Sequence, residues 1–425
     1  MAQSTLAILI VGIGVILFAT EIIPIPLTAI VTALAMTITG VIKYPQSYAS
    51  FGATATVFTA AMMVVGNACF DNGLAQEVGE ALKRFNLGRS ERLMLCVFCA
   101  TAGIMSAFMS NSAVVAMLIP LVATLVMQSN GKVENKNILM AVGIGSGMGG
   151  VCTLSGSTPQ VIAQGILESN HLPTMTYFEL AKAGAPLVII MVLYFATIGY
   201  FIEKKVITFK DVIPVAIDNT SGEDAIKYDK KKGHITAVIV ILTLLCFILG
   251  VWNITVVAMT SVALLLLTKC ISLKKSFRDI DWNTILVLAG SQAFAKGLDT
   301  SGAGIRIANA FLTVLGENAT PFAVLAVLIV VSTVLTNFMS NASIAVMLVP
   351  IAIQLAKTLD CSILTFVIGI VISSQLAFAT PVGTPCVTQT MVGGYKYMDY
   401  VKVGLPLTLI LMVVAIFLIP AVYGL

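Results

Sequence analysis

Two Ser-Asn pairs stand inside long apolar runs of this chain. The segment FMSNSAVVAMLIP covers residues 108–120, and FMSNASIAVMLVP repeats it at 338–350, with seven of the thirteen positions identical. Hydroxyl and amide oxygens can ligate a small cation, and the amide NH₂ can donate to a carboxylate at the same time. The pattern therefore indicates a polar, uncharged site for a cation and an anion.

Each pair is preceded by a second hydroxyl. Ser106 lies four residues before Ser110, and Thr336 lies four residues before Ser340. In a helix that spacing puts two hydroxyl oxygens on one face, so we expect both to face the same way just before the tip. Helix capping is the alternative role for a Ser-Asn pair. The duplicated hydroxyl favours a binding site.

The composition is that of a helical membrane protein. Hydrophobic residues make up 58% of the 425 and charged residues 10%, whereas a soluble chain carries about a quarter charged residues. Apolar runs of about 20 residues, long enough to cross a bilayer, recur without the alternation of a β-barrel strand. The net charge of +4 comes from basic residues in loops, which fits topology signals and not nucleic-acid binding. The eight cysteines are scattered, so we expect no metal or redox role for them.

The two halves of the chain are copies of one unit. YFELAKAGAPL at 177–187 pairs with YMDYVKVGLPL at 397–407, and CTLSGSTP at 152–159 pairs with ATPVGTP at 379–385. Order and spacing are kept, as expected for an internal structural repeat. The predicted division is a first repeat at 1–202, a cytoplasmic linker at 203–234 and a second repeat at 235–425.

Each repeat is predicted to hold five full spans and one interrupted run, and one of the five spans is a helix broken by Gly and Pro. The interrupted runs lie at 92–128 and 321–357, and the broken helices at 136–170 and 362–395. An all-α polytopic fold of about ten spans follows, with two re-entrant hairpins that turn at the Ser-Asn tips.

The positive-inside rule decides between hairpins and paired full spans. With hairpins, each repeat has an odd number of spans, so the second repeat enters the membrane upside down. One face then holds 19 of the 24 Lys and Arg residues, whereas paired spans disperse them. We therefore expect inverted repeats in the cell inner (plasma) membrane, with both termini outside.

Four breaks in helical structure at membrane depth mark a functional site, since irregular backbone survives there only when it is buried in protein or lines a wet cavity. Half-helix N-termini present N–H groups to an anion, and free carbonyls at half-helix ends suit Na⁺. Pro159 and Pro385 suit the first turn of such half-helices. Inverted repeats bring these groups together near the midplane, which is the site geometry of a secondary transporter.

The paired tips, the hydroxyl before each of them, ATPVGTP, YMDYVKVGLPL and ATEIIPIPLTA at 19–29 together resemble the divalent-anion/sodium symporter family of the ion-transporter superfamily. The resemblance covers nearly the whole chain. It implies homodimers, elevator-type motion of a transport part against a scaffold, and interfacial arms at 73–86 and 302–315. The implied scaffold is 1–86, 180–202, 235–315 and 402–425, and the implied transport part is 90–170 and 320–395.

The resemblance also implies roles for single residues. One Na⁺ site would use Ser106, Ser110, Asn111 and the carbonyl near Cys152, and the other would use Thr336, Ser340, Asn341 and the carbonyl near Ala379. Substrate carboxylates would meet Asn111, Ser112, Thr153, Asn341, Ala342, Thr380 and Pro381. The chain departs from the family pattern where Ala342 replaces the usual Thr and where GSTPQ and GTPCV replace GTPPN, so one carboxylate contact is lost or moved.

Sodium-coupled symport of a small divalent anion is the function that this resemblance predicts, with a C4-dicarboxylate as the leading substrate. Citrate, tartrate, sulfate or another anion stays open, as do proton coupling and exchange. An anion channel would have no need of two cation sites. A membrane enzyme would need a nucleophile with a base, paired acids or metal ligands, and the spans contain no such set.

Overall fold

The computed structural model describes residues 3–74, 77–78, 90–129, 131–212, 229–316, 319–381 and 383–425. These residues form helices and connecting turns, with no strand among them, so the predicted all-α fold is confirmed. The helices of the first half are α1 (Gln3–Thr20), α2 (Ile25–Ile38), α3 (Tyr44–Ala49), α4 (Thr54–Asp71), α5 (Glu91–Ser106), α6 (Asn111–Gln128), α7 (Leu139–Gly149), α8 (Thr158–Ser169), α9 (Ala181–Tyr194) and α10 (Tyr200–Val206).

The second half repeats this order. Its helices are α11 (Lys230–Leu249), α12 (Ile254–Leu267), α13 (Leu273–Asp279), α14 (Trp282–Thr300), α15 (Ala303–Leu315), α16 (Pro321–Thr336), α17 (Asn341–Thr358), α18 (Ile363–Ser373), α19 (Pro385–Gln389) and α20 (Tyr397–Tyr423). A π-helical turn at Phe195–Gly199 joins α9 to α10. Of the predicted arms, 302–315 corresponds to α15, whereas most of 73–86 and residues 213–228 of the linker lie outside the described residues.

Apolar helices long enough to cross a bilayer confirm a multi-pass membrane protein. Seven helical stretches of the described chain meet the length and hydropathy expected of a span, and several shorter apolar helices accompany them. The number of spans, ten by sequence, and the inversion of the second repeat stay predictions.

Helices of each half pack against helices of the other half. Helix α2 of the first half packs along α14 of the second, and α12 of the second packs along α4 of the first. Within each half, α1 pairs with α2 and α11 with α12. The same contacts therefore occur twice with the halves interchanged, as expected for two copies related by a two-fold axis.

The last helix of each half packs against the broken segments. The Tyr194 hydroxyl donates to the Val403 carbonyl oxygen across the α9–α20 contact, at 2.7 Å. Gly184 lies against Val151 at the first break, and Gly404 lies against the Phe378 backbone at the second. These contacts place the last helix of each half beside a broken segment. The predicted grouping of 180–202 and 402–425 with the scaffold stays a prediction.

Glycine permits a close approach of α7 to α5. Gly149, at the end of α7, lies so near the backbone of Gly103 on α5 that a Cβ at 149 would overlap it. We expect Gly149→Ala to destabilise the protein by about 1–3 kcal/mol or more, because rigid backbone would have to shift. The apparent melting temperature in detergent measures this.

Gly12→Ala is the matched control. A Cβ at position 12 of α1 meets nothing within 4 Å, and Ala favours a helix over Gly by about 1 kcal/mol. Gly12→Ala should therefore leave the melting temperature unchanged or raise it. An equal response of the two variants would contradict the close approach at Gly149.

Candidate functional site

Both interrupted runs break where the sequence predicts. Helix α5 ends at Ser106 and α6 begins at Asn111, while α16 ends at Thr336 and α17 begins at Asn341. The expectation that the hydroxyls of Ser106 and Ser110 share a helix face is wrong, as it is for Thr336 and Ser340, because the helix stops before the second hydroxyl. Each first hydroxyl instead reaches the Asn that opens the next helix.

The tips and the breaks meet at one cavity. It has a volume of about 650 Å³, and its lining includes both tips, at 108–112 and 338–342, and both breaks, at 155–159 and 383–386. The turn after α1, helix α4 and residues 279–284 form the opposite wall. Pro159 and Pro385 stand in the first turn of α8 and α19, as predicted. The four helix breaks thus surround a single space.

Oxygen atoms converge on the amide of Asn341. One of its two terminal atoms lies 2.8 Å from Thr336 Oγ1, 3.0 Å from the Ser374 carbonyl and 3.1 Å from the Gly383 carbonyl. With nitrogen at that position, the amide donates to these acceptors. The hydrogen-bond partners favour this nitrogen orientation, and in the turned-over orientation the four oxygens would form a ligand set for a bound cation. Oxygen ligands of this kind suit a hard cation.

The first copy builds a similar cluster around Asn111. The Ser106 hydroxyl donates to Asn111 Oδ1. Ser146 Oγ lies 2.8 Å from the Asn111 carbonyl oxygen and 3.2 Å from Ser106 Oγ. A Cβ on Gly150 would stand 3.0 Å from Asn111 Oδ1, so glycine lets this amide lie on the backbone of the break. Gln160 Nε2 donates to the Gly150 carbonyl oxygen at 2.8 Å.

Thr153 and Thr380 each join a break to the neighbouring tip through a hydrogen bond. The Thr153 hydroxyl donates to the Ala107 carbonyl, and the Thr380 hydroxyl donates to the Asn337 carbonyl. Both threonines are buried and stand outside the cavity lining. Their position supports a role in holding the tips, and the substrate contact that the resemblance implies stays a prediction.

The remaining candidates divide between lining and support. Ser112 and Ala342 line the cavity, as do Ser110 and Ser340. Ser340 also caps α17 by accepting from the Ala342 N–H at 3.2 Å, whereas Ser110 makes no side-chain cap. Cys152, Ala379 and Pro381 stand outside the lining. The Ala379 N–H donates to Asn337 Oδ1 at 3.0 Å, and the Pro381 carbonyl accepts from the Thr388 hydroxyl.

Sequence reasoning missed several residues of the site. Ser146 and the carbonyls of Ser374 and Gly383 reach the two Asn residues only through the fold. Gly383 could have been found, because it pairs with Gly156 in the repeat and both let backbone segments approach closely. The scaffold wall was also missed, and it brings carboxylates to the cavity.

The cavity carries negative charge on the scaffold side. Glu21, Asp279 and Asp281 line it, and no Lys or Arg is among the lining residues that the structure describes. Asp281 caps α14 by accepting from the Asn283 N–H at 3.1 Å. An anion entering this space meets amides, hydroxyls and carboxylates but no basic side chain among the described lining residues, so a bound cation would supply positive charge there.

A membrane protein with these paired broken helices around one polar cavity is a transporter, and comparison with known proteins gives its family. A family model described as "Citrate transporter" matches residues 15–365. The chain belongs to this family of the ion-transporter superfamily, so the recognised resemblance is confirmed. It is therefore a transporter and not an enzyme.

Two relatives match this sequence along most of its length. An uncharacterised transporter of Methanocaldococcus jannaschii is 23% identical, and the match covers 92% of this chain and 87% of the relative. The sodium-dependent dicarboxylate transporter SdcS of Staphylococcus saprophyticus is 25% identical over 81% of this chain and 73% of its own length.

A solved structure shares the fold. The YdaH transporter of Alcanivorax borkumensis superposes with a TM-score of 0.64 at 14% identity, covering 88% of this chain and 86% of that chain. At this identity the likeness concerns the fold alone.

Thr380→Val tests the hydrogen bond that joins the second break to the second tip (338–342, called tip two). The change keeps the side-chain shape and removes the hydroxyl, so the hydrogen bond from Thr380 Oγ1 to the Asn337 carbonyl is lost. A buried acceptor left unpaired costs about 1–3 kcal/mol, so the melting temperature in detergent should fall. Thr260→Val, on an exposed position of α12, is the control and should have little effect. A null result for Thr380→Val would remove the proposed support role.

Proposed function

We propose that the protein carries a small divalent anion across the cell inner membrane together with Na⁺, in a symport driven by the Na⁺ gradient. The observation that carries this proposal is the convergence of neutral oxygens on Asn111 and Asn341 beside one cavity. Both termini would lie outside, as the charge distribution predicts.

Two cation sites would use the two Asn clusters. Their ligands are hydroxyl, amide and carbonyl oxygens, from Ser106, Ser146 and Asn111 in one copy and from Thr336, Ser374, Gly383 and Asn341 in the other. Ligands without formal charge favour a monovalent cation over a divalent one, since they return less electrostatic energy for its dehydration. Na⁺ is the proposed cation, and H⁺ coupling is the alternative.

The anion would lie between the two tips. Helices α6 and α17 begin there, and their first N–H groups and dipoles favour negative charge. The three carboxylates of the scaffold wall oppose an anion while the cation sites are empty. Binding in the order Na⁺ first and anion second follows from this balance and would limit uncoupled movement of either ion.

A C4-dicarboxylate is the leading substrate. A relative that matches 81% of this chain is named a sodium-dependent dicarboxylate transporter, while the family description names citrate. Ser112 keeps a hydroxyl after Asn111, but Ala342 gives none after Asn341, so the two carboxylates would be held unequally. The alternative substrates are citrate, tartrate, sulfate or another anion. Exchange is the alternative to symport.

An elevator-type motion fits the position of the cavity. One wall consists of tips and breaks and the other of the α1–α2 turn, α4 and the start of α14. Sliding of the first set along the second would carry the site across the membrane, with a homodimer supplying a fixed scaffold. A channel is the alternative class, and saturable, Na⁺-dependent uptake would distinguish the two.

Uptake by proteoliposomes tests the site directly. Asn111→Ala and Asn341→Ala should each abolish Na⁺-driven uptake of labelled succinate and citrate, because each removes the amide that joins cation and anion. Both variants should stay monodisperse in detergent. Asn309→Ala, an exposed position on α15, is the matched control and should transport normally. Wild-type uptake by either site variant would exclude the proposed site.

Na⁺ binding can be measured without any substrate. A cation that binds the folded protein at ten times its dissociation constant adds about 1.4 kcal/mol of stability, so the melting temperature should be higher in NaCl than in KCl. Thr336→Val removes one oxygen of the Asn341 cluster and should reduce this difference, whereas Thr313→Val, at an exposed position of α15, should preserve it. Equal Na⁺ stabilisation in all three proteins would exclude Thr336 as a ligand.

A further inference from the structure

A carboxylate of the scaffold lies on the tip of the second hairpin. Glu21 follows the last residue of α1, lines the cavity and is exposed. Its Oε1 accepts a hydrogen bond from the backbone N–H of Ser340, at 3.2 Å. Ser340 is the N-cap of α17, so this bond joins a scaffold turn to one of the amides that the proposed function gives to an anion.

The internal repeat shows that the backbone alone does not account for a glutamate here. Glu21 has a left-handed conformation, with φ of +49°. Gly250 stands at the same place after α11, with φ of +60°. Glycine is the residue that this helix-ending conformation favours. The first copy therefore has a disfavoured residue at the position where its side chain reaches the other copy's tip.

The two tips are consequently unequal. Gly250 has no side chain to offer to the tip of the first hairpin, and in the described part of the chain no carboxylate accepts from the Ser110 N–H. Among the described residues, the second tip makes such a charged contact with the scaffold and the first does not. This tie joins the two parts that an elevator motion must separate.

We propose that Glu21 is an internal competitor for the substrate, and this proposal rests on the proposed function. In the substrate-free protein its carboxylate holds tip two against the scaffold. A substrate carboxylate that takes the same amide displaces Glu21 and frees the tip. Na⁺ alone leaves the tie in place, so movement of the transport part is linked to occupancy by the anion.

Binding measurements test the competition. Glu21→Gln removes the charge, and Glu21→Gly gives the first copy the residue that the backbone favours, so both variants should fold. If the tied state makes up most of the substrate-free protein, freeing it should tighten the dissociation constants of succinate and citrate in saturating Na⁺ by roughly three- to tenfold. Asp281→Asn is the control. It removes a cavity carboxylate whose hydrogen bonds, in the described residues, go to Asn283 and Thr284 and not to the tip, and it keeps a capping side chain.

Labelling of the tip tests the tie without relying on transport. Phe338 belongs to tip two and is 68% exposed, so Phe338→Cys in a background without reactive native cysteines can be alkylated by a maleimide. Labelling in Na⁺ without anion should be faster with Glu21→Gln or Glu21→Gly than with native Glu21. Succinate or citrate at a concentration below saturation should displace Glu21 and speed labelling of the native-Glu21 protein. At saturation the bound anion should protect the site.

The outcomes separate the two proposals. Faster labelling in the Glu21 variants with no anion binding in any protein would support the tie and overturn the proposed substrate. Anion binding that is unchanged or weakened in both Glu21 variants, with unchanged labelling, would overturn the competition and leave symport standing. An equal gain in affinity from Asp281→Asn would assign the effect to general cavity charge and also overturn it.

Discussion

A peptide group at the centre of a bilayer has no water to bond to, and an unpaired one costs several kcal/mol. This constraint shapes the whole molecule. Four segments leave the helical pattern, and each finds partners in another: Thr153 and Thr380 donate to the carbonyls at the tips, and Ala379 donates to Asn337. The breaks are stable because they satisfy one another, and the cavity lies where they meet.

The same interactions make the site polar, and no Lys or Arg stands among its described lining residues. Hydroxyls, amides and carbonyls that pair the broken backbone are also the groups left facing the cavity, around Asn111 and Asn341. Positive charge is then available from helix N-termini and from whatever cation the oxygens hold. The proposed coupling of cation and anion rests on this shared chemistry, since the atoms that would bind one would also position the other.

Sequence reasoning reached the fold class, the duplication, both tips and both breaks, because each is marked by a local pattern that occurs twice. It failed where the answer depends on where a helix stops: Ser106 and Ser110 seemed to share a face, yet α5 ends between them. It also missed Ser146 and Glu21, whose partners lie 35 and 319 residues away. Such contacts leave no periodicity in the sequence from which they could be predicted.

The packing between helices of the two halves has a consequence for how the chain is made. Helix α2 leaves the ribosome long before α14, the helix along which it packs, and α4 likewise precedes α12. The faces of α2 and α4 that contact the second half therefore have no helical partner until that half is made. Assembly waits for the second half to insert, so errors in the orientation of the late helices leave early ones without their neighbours.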